Sequence, residues 1–175
     1  KGLEIIEARW LFNTPADKIE VVVHPESIIH SMVEYADGAV IAQLGHPDMR
    51  EPIQYALSWP YRLPLNNRKL NFAELASMTF HAPDRDKFPA LGHAYEALAK
   101  GGNMPCIMNA ANEAAVAAYL RDEIGFYDIT DIVEECMSGS DFVASPDLDT
   151  IFMTNEAAYA RAAEFAAARS GRHSF

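Results

Sequence analysis

Residues 21–50, VVVHPESIIHSMVEYADGAVIAQLGHPDMR, decide the fold of the first part of the chain. Two β-rich runs flank Asp37-Gly38, and an Asp-Gly pair in this position is the strongest short-range signal for a hairpin. The β-branched run at residues 19–23 predicts a further strand just before it. We therefore expect a sheet of at least three strands, which a proline interrupts ahead of the hairpin.

Helical patterns surround this sheet. Residues 3–12 predict a helix, because Ile6 and Trp10 fall on one face. Towards the other end of the chain, residues 90–100, 107–121, 128–137 and 147–169 predict four more helices. The predicted fold class is α+β: a small sheet with a hairpin and a flanking helix, a long linker, and a C-terminal all-α four-helix bundle.

The segment between the hairpin and the helices is rich in proline. Six prolines lie between residues 45 and 89, and YRLPLNNRKLNF is polar, broken and locally basic. This composition predicts a long linker that lies on other structure, flanked by two domains.

Composition and charge exclude several kinds of partner. The 175 residues carry a net charge of −11, which disfavours nucleic acid and anionic membranes as partners. The apolar runs are too short for a membrane span. Residues 106–175 contribute −8, from twelve acidic residues against four arginines, which predicts a solvated acidic face. The two cysteines lack metal-ligand spacing and are expected to be reduced thiols in a cytosolic protein.

The histidines are the first candidates for a functional site. His24 and His30 are six residues apart, which is not the i, i+4 spacing that places two ligands on one helix face. Sheet-edge or turn positions are therefore favoured over a metal cluster, and the same holds for the remaining histidines, His46, His81, His93 and His173. An independent metal-binding protein that uses His24, His30 and Glu4 stays open as a weaker alternative.

A lysine and a glutamate begin the first helix. Lys1 and Glu4 are three residues apart and can face one site. The partial positive charge and free N–H groups of a helix N-terminus suit a phosphate. The alternative is an ordinary solvated first turn, with Glu7 as a further surface charge. The chain contains no glycine-rich phosphate loop.

The order of the segments is more specific than any single one. KGLEIIEARWLF, HPESIIHSMVEYADGAVIAQLGHPDMR, YALSWPYR and NAANEAAVAAYL follow one another as in the 1-deoxy-D-xylulose 5-phosphate reductoisomerase family, which this chain closely resembles over nearly its whole length. The resemblance implies the end of a catalytic domain with a dimer-forming sheet at residues 1–58, a linker at 59–86 and a helical bundle at 87–175. It also implies a preceding NADPH-binding domain, so that this chain, which begins with lysine, would be an inactive fragment by itself.

The resemblance assigns a role to each of five residues. Glu4 matches a carboxylate that holds Mg²⁺ or Mn²⁺, and Lys1 matches a lysine at the polar end of the substrate. His30 matches a histidine close to the active site, with a supporting role expected. Pro47 and Met49 match residues that border NADPH and a closing loop. From the residues alone, Met49 is expected to be a packing residue.

The implied activity is a metal-assisted rearrangement followed by a reduction. The metal would bind the keto and hydroxyl oxygens of a phosphorylated sugar and stabilise the charge of a retro-aldol and aldol rearrangement. NADPH would then reduce the resulting aldehyde to give 2-C-methyl-D-erythritol 4-phosphate. The implied protein is a homodimer in the bacterial cytoplasm, or in a plastid, that binds neither nucleic acid nor membrane. The alternative is a dimerisation or scaffold module without chemistry, because an unpaired hairpin edge invites pairing.

Overall fold

The computed structural model describes residues 1–170, which form two compact units. The first unit comprises Lys1–Val21 and Asp84–Phe175, and the second comprises Val22–Pro83. In chain order the elements are α1 (Gly2–Leu11), a 3₁₀ helix (Ala16–Lys18), β1 (Ile29–Glu34), β2 (Val40–Leu44), α2 (Arg50–Ser58), α3 (Phe72–Leu75), α4 (Ala90–Lys100), α5 (Met104–Leu120), α6 (Asp128–Gly139) and α7 (Leu148–Arg169).

Helices α4 to α7 form the predicted four-helix bundle, so the α+β fold class is confirmed. Helix α5 is central and packs against α6 and α7. Its buried face is mostly alanine, and α7 likewise buries alanines, including Ala158 and Ala162. Small side chains let the two helix backbones approach closely. Met104, Ile107 and Ile132 supply much of the remaining apolar volume, and burial of such side chains contributes about 1.5–3 kcal/mol each.

A buried asparagine ties the bundle together at the start of α5. Asn103 is 1% exposed, and its amide nitrogen donates to the Asp141 carbonyl at 3.0 Å and to the Thr154 hydroxyl at 3.2 Å. Its amide oxygen accepts from the Val143 N–H at 2.9 Å. Both ends of the amide are thus satisfied, which removes the cost of burying it.

Cys106 and Cys136 are both free, and burial raises the pKa of the Cys136 thiol to about 11.

The second unit contains the predicted hairpin. Strands β1 and β2 pair antiparallel around Asp37-Gly38, where the Asp37 carboxylate accepts from the Ala39 N–H at 3.0 Å and Gly38 has φ +84°. Ile29 pairs with Leu44, whereas Met32, three residues further along β1, pairs with Ala42, only two residues back along β2. One extra residue therefore lies in β1 at this point.

The prediction of a strand at residues 19–23 was wrong, and the sheet within residues 1–170 has two strands rather than three or more. Val23 forms only a single bridge, with His81. The Ile19 carbonyl instead accepts a hydrogen bond from the Tyr95 hydroxyl at 2.8 Å. β-Branched residues favour extended backbone, but a strand also needs a partner strand, which this run does not find.

Helix α2 occupies residues that the proline-rich composition assigned to irregular structure. Pro52 lies in the first turn of α2, where its missing N–H leaves no helical hydrogen bond unmade. The segment from residue 59 to 71 has no regular structure, and α3 is one turn long.

The domain boundaries at 58/59 and 86/87 stay a prediction. Over residues 1–170 the structure has no helix that is both long and apolar enough for a membrane span.

Candidate functional site

Lys1 and Glu4 are in direct contact at the start of α1. The Lys1 ammonium lies 2.6 Å from the Glu4 carboxylate, and the two side chains are 68% and 58% exposed. The hydrogen bond from Lys1 lowers the pKa of the Glu4 carboxyl, with the lysine charge acting in the same direction. Glu4 is therefore ionised at neutral pH and offers oxygen atoms on an accessible surface.

The turn that carries Glu4 is fixed against the helical bundle. Next to Glu4 in α1, Ile5 is only 2% exposed. Gly2 lies so close to α4 that a Cβ atom at this position would come within 2.8 Å of the Ala94 Cβ. The glycine therefore allows the two helices to approach, and this approach sets the position of Glu4. Sequence reasoning missed Gly2, because a glycine at a helix start carries no sign of what packs on it.

His30 is the extra residue at the bulge in β1. Its Nε2 lies 3.1 Å from the Gly45 carbonyl, and the Gly45 N–H donates to the Ile28 carbonyl at 2.9 Å. A carbonyl can only accept, so Nε2 is the nitrogen that carries the proton. The histidine thus fixes the backbone at the end of β2, which agrees with a supporting role. Whether His30 takes part in chemistry stays a prediction.

Pro47 and Met49 lie in the short loop between β2 and α2. Met49 is 71% exposed, so most of its surface does not pack against other side chains among residues 1–170, and the interpretation of Met49 as a packing residue is wrong. Between them, Asp48 binds the Arg50 guanidinium at 2.9 and 2.5 Å and accepts from the Arg50 N–H at 3.0 Å. These hydrogen bonds lower the pKa of Asp48 to about 2. The pair stiffens the loop that presents Met49.

His24 has structural contacts within the second unit. Its Nδ1 lies 2.9 Å from the Thr79 carbonyl and 3.1 Å from the Glu26 carboxylate, and the ring stacks on Phe80 at 4.8 Å between centroids. Glu26 also accepts a hydrogen bond from the Thr79 hydroxyl at 2.7 Å. These contacts fix the backbone ahead of β1.

The other histidines are dispersed. His81 forms the backbone bridge with Val23, His93 is buried in α4, and His46 follows β2. His173 lies outside the described residues. Over residues 1–170, no three His, Cys, Asp or Glu side chains are grouped so that they could hold a metal ion.

Glu4 by itself fits one position of a divalent-cation site. Mg²⁺ and Mn²⁺ prefer oxygen ligands, and Glu4 supplies an ionised carboxylate on an exposed helix surface. A complete site needs further oxygen ligands that residues 1–170 do not bring to this position. The assignment of Glu4 as a metal ligand therefore stays a prediction.

These features define the class: an α+β protein in which a four-helix bundle supports a helix that carries a paired lysine and carboxylate. The family model of the DXP reductoisomerase C-terminal domain matches residues 44–161. The chain belongs to this family, and the resemblance seen in its sequence is confirmed.

Individual proteins that are similar to this chain are also named reductoisomerases. The chain is 58% identical over 149 residues to 1-deoxy-D-xylulose 5-phosphate reductoisomerase of Chlorobium chlorochromatii, an alignment that covers 85% of the chain and 39% of the relative. The fold of the present chain matches that of the reductoisomerase of Zymomonas mobilis in complex with NADPH, with a TM-score of 0.88 and 48% identity. The match covers 94% of this chain and 44% of that one.

A third match is a reductoisomerase in complex with NADPH, fosmidomycin and magnesium. Its TM-score is 0.87 at 38% identity, over 94% of this chain and 43% of that one. The chain thus spans about two fifths of the length of the relatives that it matches.

Proposed function

We propose that this chain works as part of a 1-deoxy-D-xylulose 5-phosphate reductoisomerase. The enzyme would convert its phosphorylated sugar to 2-C-methyl-D-erythritol 4-phosphate with NADPH, in the non-mevalonate route to isoprenoids. Membership of the family supports this proposal, as do the names of the similar proteins. The observation that carries it is the Lys1–Glu4 pair, which is accessible on α1 and held in place by the contact of Gly2 with Ala94.

Glu4 would be one ligand of a divalent cation, Mg²⁺ or Mn²⁺. When bound, such a cation supplies positive charge for the oxygens on which negative charge develops. The task of Glu4 is to present an ionised carboxylate in a fixed position, and its lowered pKa and the packing of α1 support this role. The solved relative that contains magnesium and fosmidomycin supports the choice of Mg²⁺; Mn²⁺ is the second candidate.

Lys1 would bind the polar end of the substrate. In the present structure its ammonium neutralises Glu4 at 2.6 Å. If Glu4 held a divalent cation, Lys1 would no longer be needed to balance its charge, and the Lys1 ammonium could donate hydrogen bonds to a substrate oxygen instead.

His30, Pro47 and Met49, all in the second unit, would form a surface that borders NADPH. His30 holds the Gly45 carbonyl, and the chain runs directly from Gly45 to Pro47 and Met49. The exposed Met49 side chain offers an adaptable apolar surface for a cofactor ring. In this assignment His30 is a positioning residue and transfers no proton.

The hairpin would form the sheet of a homodimer. Val33 and Ile41 are directly paired across it and are 57% and 63% exposed, and Tyr35 at the turn is 52% exposed. Exposed apolar side chains beside unpaired strand edges are typical of a surface that another chain covers.

We place residues 1–58 in the catalytic domain, 59–86 in the linker and 87–175 in the bundle domain. The enzyme would be cytoplasmic in a bacterium, without nucleic-acid or membrane partners.

The direct test is an assay of NADPH oxidation with a full-length enzyme that joins this chain to the rest of the family's length. We expect oxidation that requires 1-deoxy-D-xylulose 5-phosphate, stops on chelation and returns with Mg²⁺ or Mn²⁺. The non-phosphorylated sugar is the matched control and should be a poor substrate. Absence of substrate-dependent oxidation in a folded, metal-loaded enzyme would refute the proposal.

A scaffold module without chemistry is the second candidate. The exposed apolar residues of the hairpin favour it, because they serve dimerisation whether or not catalysis occurs. Analytical ultracentrifugation combined with the assay separates the two functions. A dimer without activity supports the scaffold, and a dimer with activity supports the enzyme.

A further inference from the structure

A cavity of about 440 Å³ lies within the second unit, between α2 and the irregular segment that follows it. Arg62, Arg68 and Lys69 line it together with His46, and Glu51 is the acidic residue among its described lining. The whole chain has a net charge of −11. A cluster of cations around one cavity is therefore a local reversal of the protein's charge, and it favours an anionic ligand.

Among residues 1–170, two of the three Arg and Lys residues of the cavity have no carboxylate partner. Neither Arg62 nor Lys69 forms an ion pair with any of residues 1–170. Arg68 lies 3.6 Å from Glu74, with 75% and 67% of the two side chains exposed. Such an exposed pair is weak and is readily exchanged for a ligand.

The walls of the cavity are held by specific contacts. The Gln54 side chain on α2 donates to the Pro64 carbonyl at 3.2 Å, which ties the irregular segment to the helix. The Arg62 guanidinium lies over the Tyr55 ring, with its central carbon 4.0 Å from the ring centroid. This cation–π contact holds the guanidinium beside the cavity, and a guanidinium can bind an anion through two parallel N–H donors.

The remaining lining is largely apolar. Leu44, Leu63 and Leu70 line the same cavity. A volume of this size suits a small molecule, and apolar walls with a few polar groups are typical of ligand sites. Planar guanidinium groups and a lysine recognise phosphate well. We infer that the cavity binds a small phosphate monoester, with the phosphate at Arg62 and Lys69 and an apolar body against the leucines.

Occupation of the cavity has a consequence for the neighbouring loop. Gly45 and His46 line the cavity and immediately precede Pro47. A bound ligand would stabilise one arrangement of this backbone and so change the KM for NADPH. This consequence rests on the proposed function, whereas the binding of the phosphate monoester does not.

Calorimetric titration of the full-length enzyme with butyl phosphate at low ionic strength tests the inference. NADPH and fosmidomycin are present at saturation, so that the proposed active site is already filled. We expect saturable binding with a Kd of about 1 mM or lower, and no binding of uncharged butanol. Lys69→Met and Arg62→Met keep the apolar stem and remove the charge, and each should weaken binding at least about fivefold.

Lys18→Met is the matched control, because it removes one exposed lysine of the first unit. It should leave the Kd unchanged. Lys69→Arg should restore most of the affinity lost in Lys69→Met, which excludes a general loss of folding as the cause. Absence of saturable binding would overturn the inference, and so would equal affinities in the cavity variants and Lys18→Met.

Discussion

His30 Nε2 donates to the Gly45 carbonyl across the bulge in the hairpin, at 3.1 Å. The bulge turns the His30 side chain towards the last residues of β2, and the loop that begins there contains Pro47 and Met49. One hydrogen bond thus connects the histidine to the loop that we propose borders NADPH.

Replacing His30 should therefore affect cofactor binding more than turnover. A hydrogen bond of this kind contributes about 0.5–1.5 kcal/mol. We expect His30→Ala to raise the KM for NADPH about two- to tenfold with a smaller change in kcat, and His30→Gln to recover part of the loss. His81→Gln, in the same unit, is the control. A collapse of kcat with an altered pH profile in His30→Gln would instead indicate proton transfer.

A side chain at Gly2 should be destabilising, whereas a side chain at Gly92 in the adjacent helix α4 should be tolerated. A Cβ at Gly2 would meet the Ala94 Cβ at 2.8 Å, but a Cβ at Gly92 has no atom within 4 Å. Gly2→Ala should lower the free energy of unfolding by about 1–3 kcal/mol and reduce turnover, because α1 and Glu4 are displaced. Gly92→Ala should raise the free energy by about 0.5–1 kcal/mol. Urea unfolding of the two variants measures both, and equal effects would contradict the close packing of α1 on α4.

The Asp48–Arg50 pair should make stability depend on pH in the acidic range. The pKa of Asp48 is lowered to about 2 by Arg50, so the folded state holds this carboxylate ionised more firmly than the unfolded chain does. Its contribution is present above the unfolded pKa of about 3.9 and is lost as the pH falls towards 2. The urea midpoint of the wild type should exceed that of Asp48→Asn at pH 6, and the difference should shrink as the pH falls from about 4 to 2.

Asp17→Asn, at another exposed aspartate, is the control for this pH dependence. Its urea midpoint at pH 6 should stay close to that of the wild type, because no side-chain hydrogen bond or ion pair of Asp17 is present within residues 1–170. A difference between wild type and Asp48→Asn that persists unchanged at pH 2 would show that the Asp48 pKa is not lowered in solution.

The exposed hairpin face should be necessary for dimerisation. Val33 and Ile41 are paired across the strands and share one face. Val33→Glu together with Ile41→Glu places two charges where a partner would bury them, and we expect sedimentation of the full-length enzyme to change from dimer to monomer. Glu34→Gln, on the same strand, should remain dimeric. A monomeric wild type at high concentration would refute both the dimer sheet and the scaffold.

Local signals explain which parts of the fold were predictable. The Asp37-Gly38 turn and the periodic helices of the bundle act over a few residues, and the structure contains them close to the expected positions. The strand at residues 19–23 was wrong because strand formation depends on a partner elsewhere in the chain. Pro52 suggested irregular structure, although the first turn of a helix accommodates proline.

The candidate site was predictable only in part. The residues alone left Glu4 open between a site and a solvated turn, and the resemblance to a family gave it a role. The geometry adds the contact with Lys1 and the support from Gly2. The basic segment around Arg62 and Lys69 was visible in the sequence, but its closure against Tyr55 depends on tertiary packing.

The most direct test of the account is the activity of Glu4→Gln in the full-length enzyme, with Glu7→Gln as the control one turn along α1. Glutamine keeps the shape of the side chain but removes the charge that a divalent cation needs. We predict that Glu4→Gln lowers turnover at least about a hundredfold and weakens Mg²⁺ binding, while the affinity for NADPH and the turnover of Glu7→Gln stay nearly unchanged. Wild-type turnover and metal affinity in Glu4→Gln would contradict the assignment of Glu4 as a metal ligand.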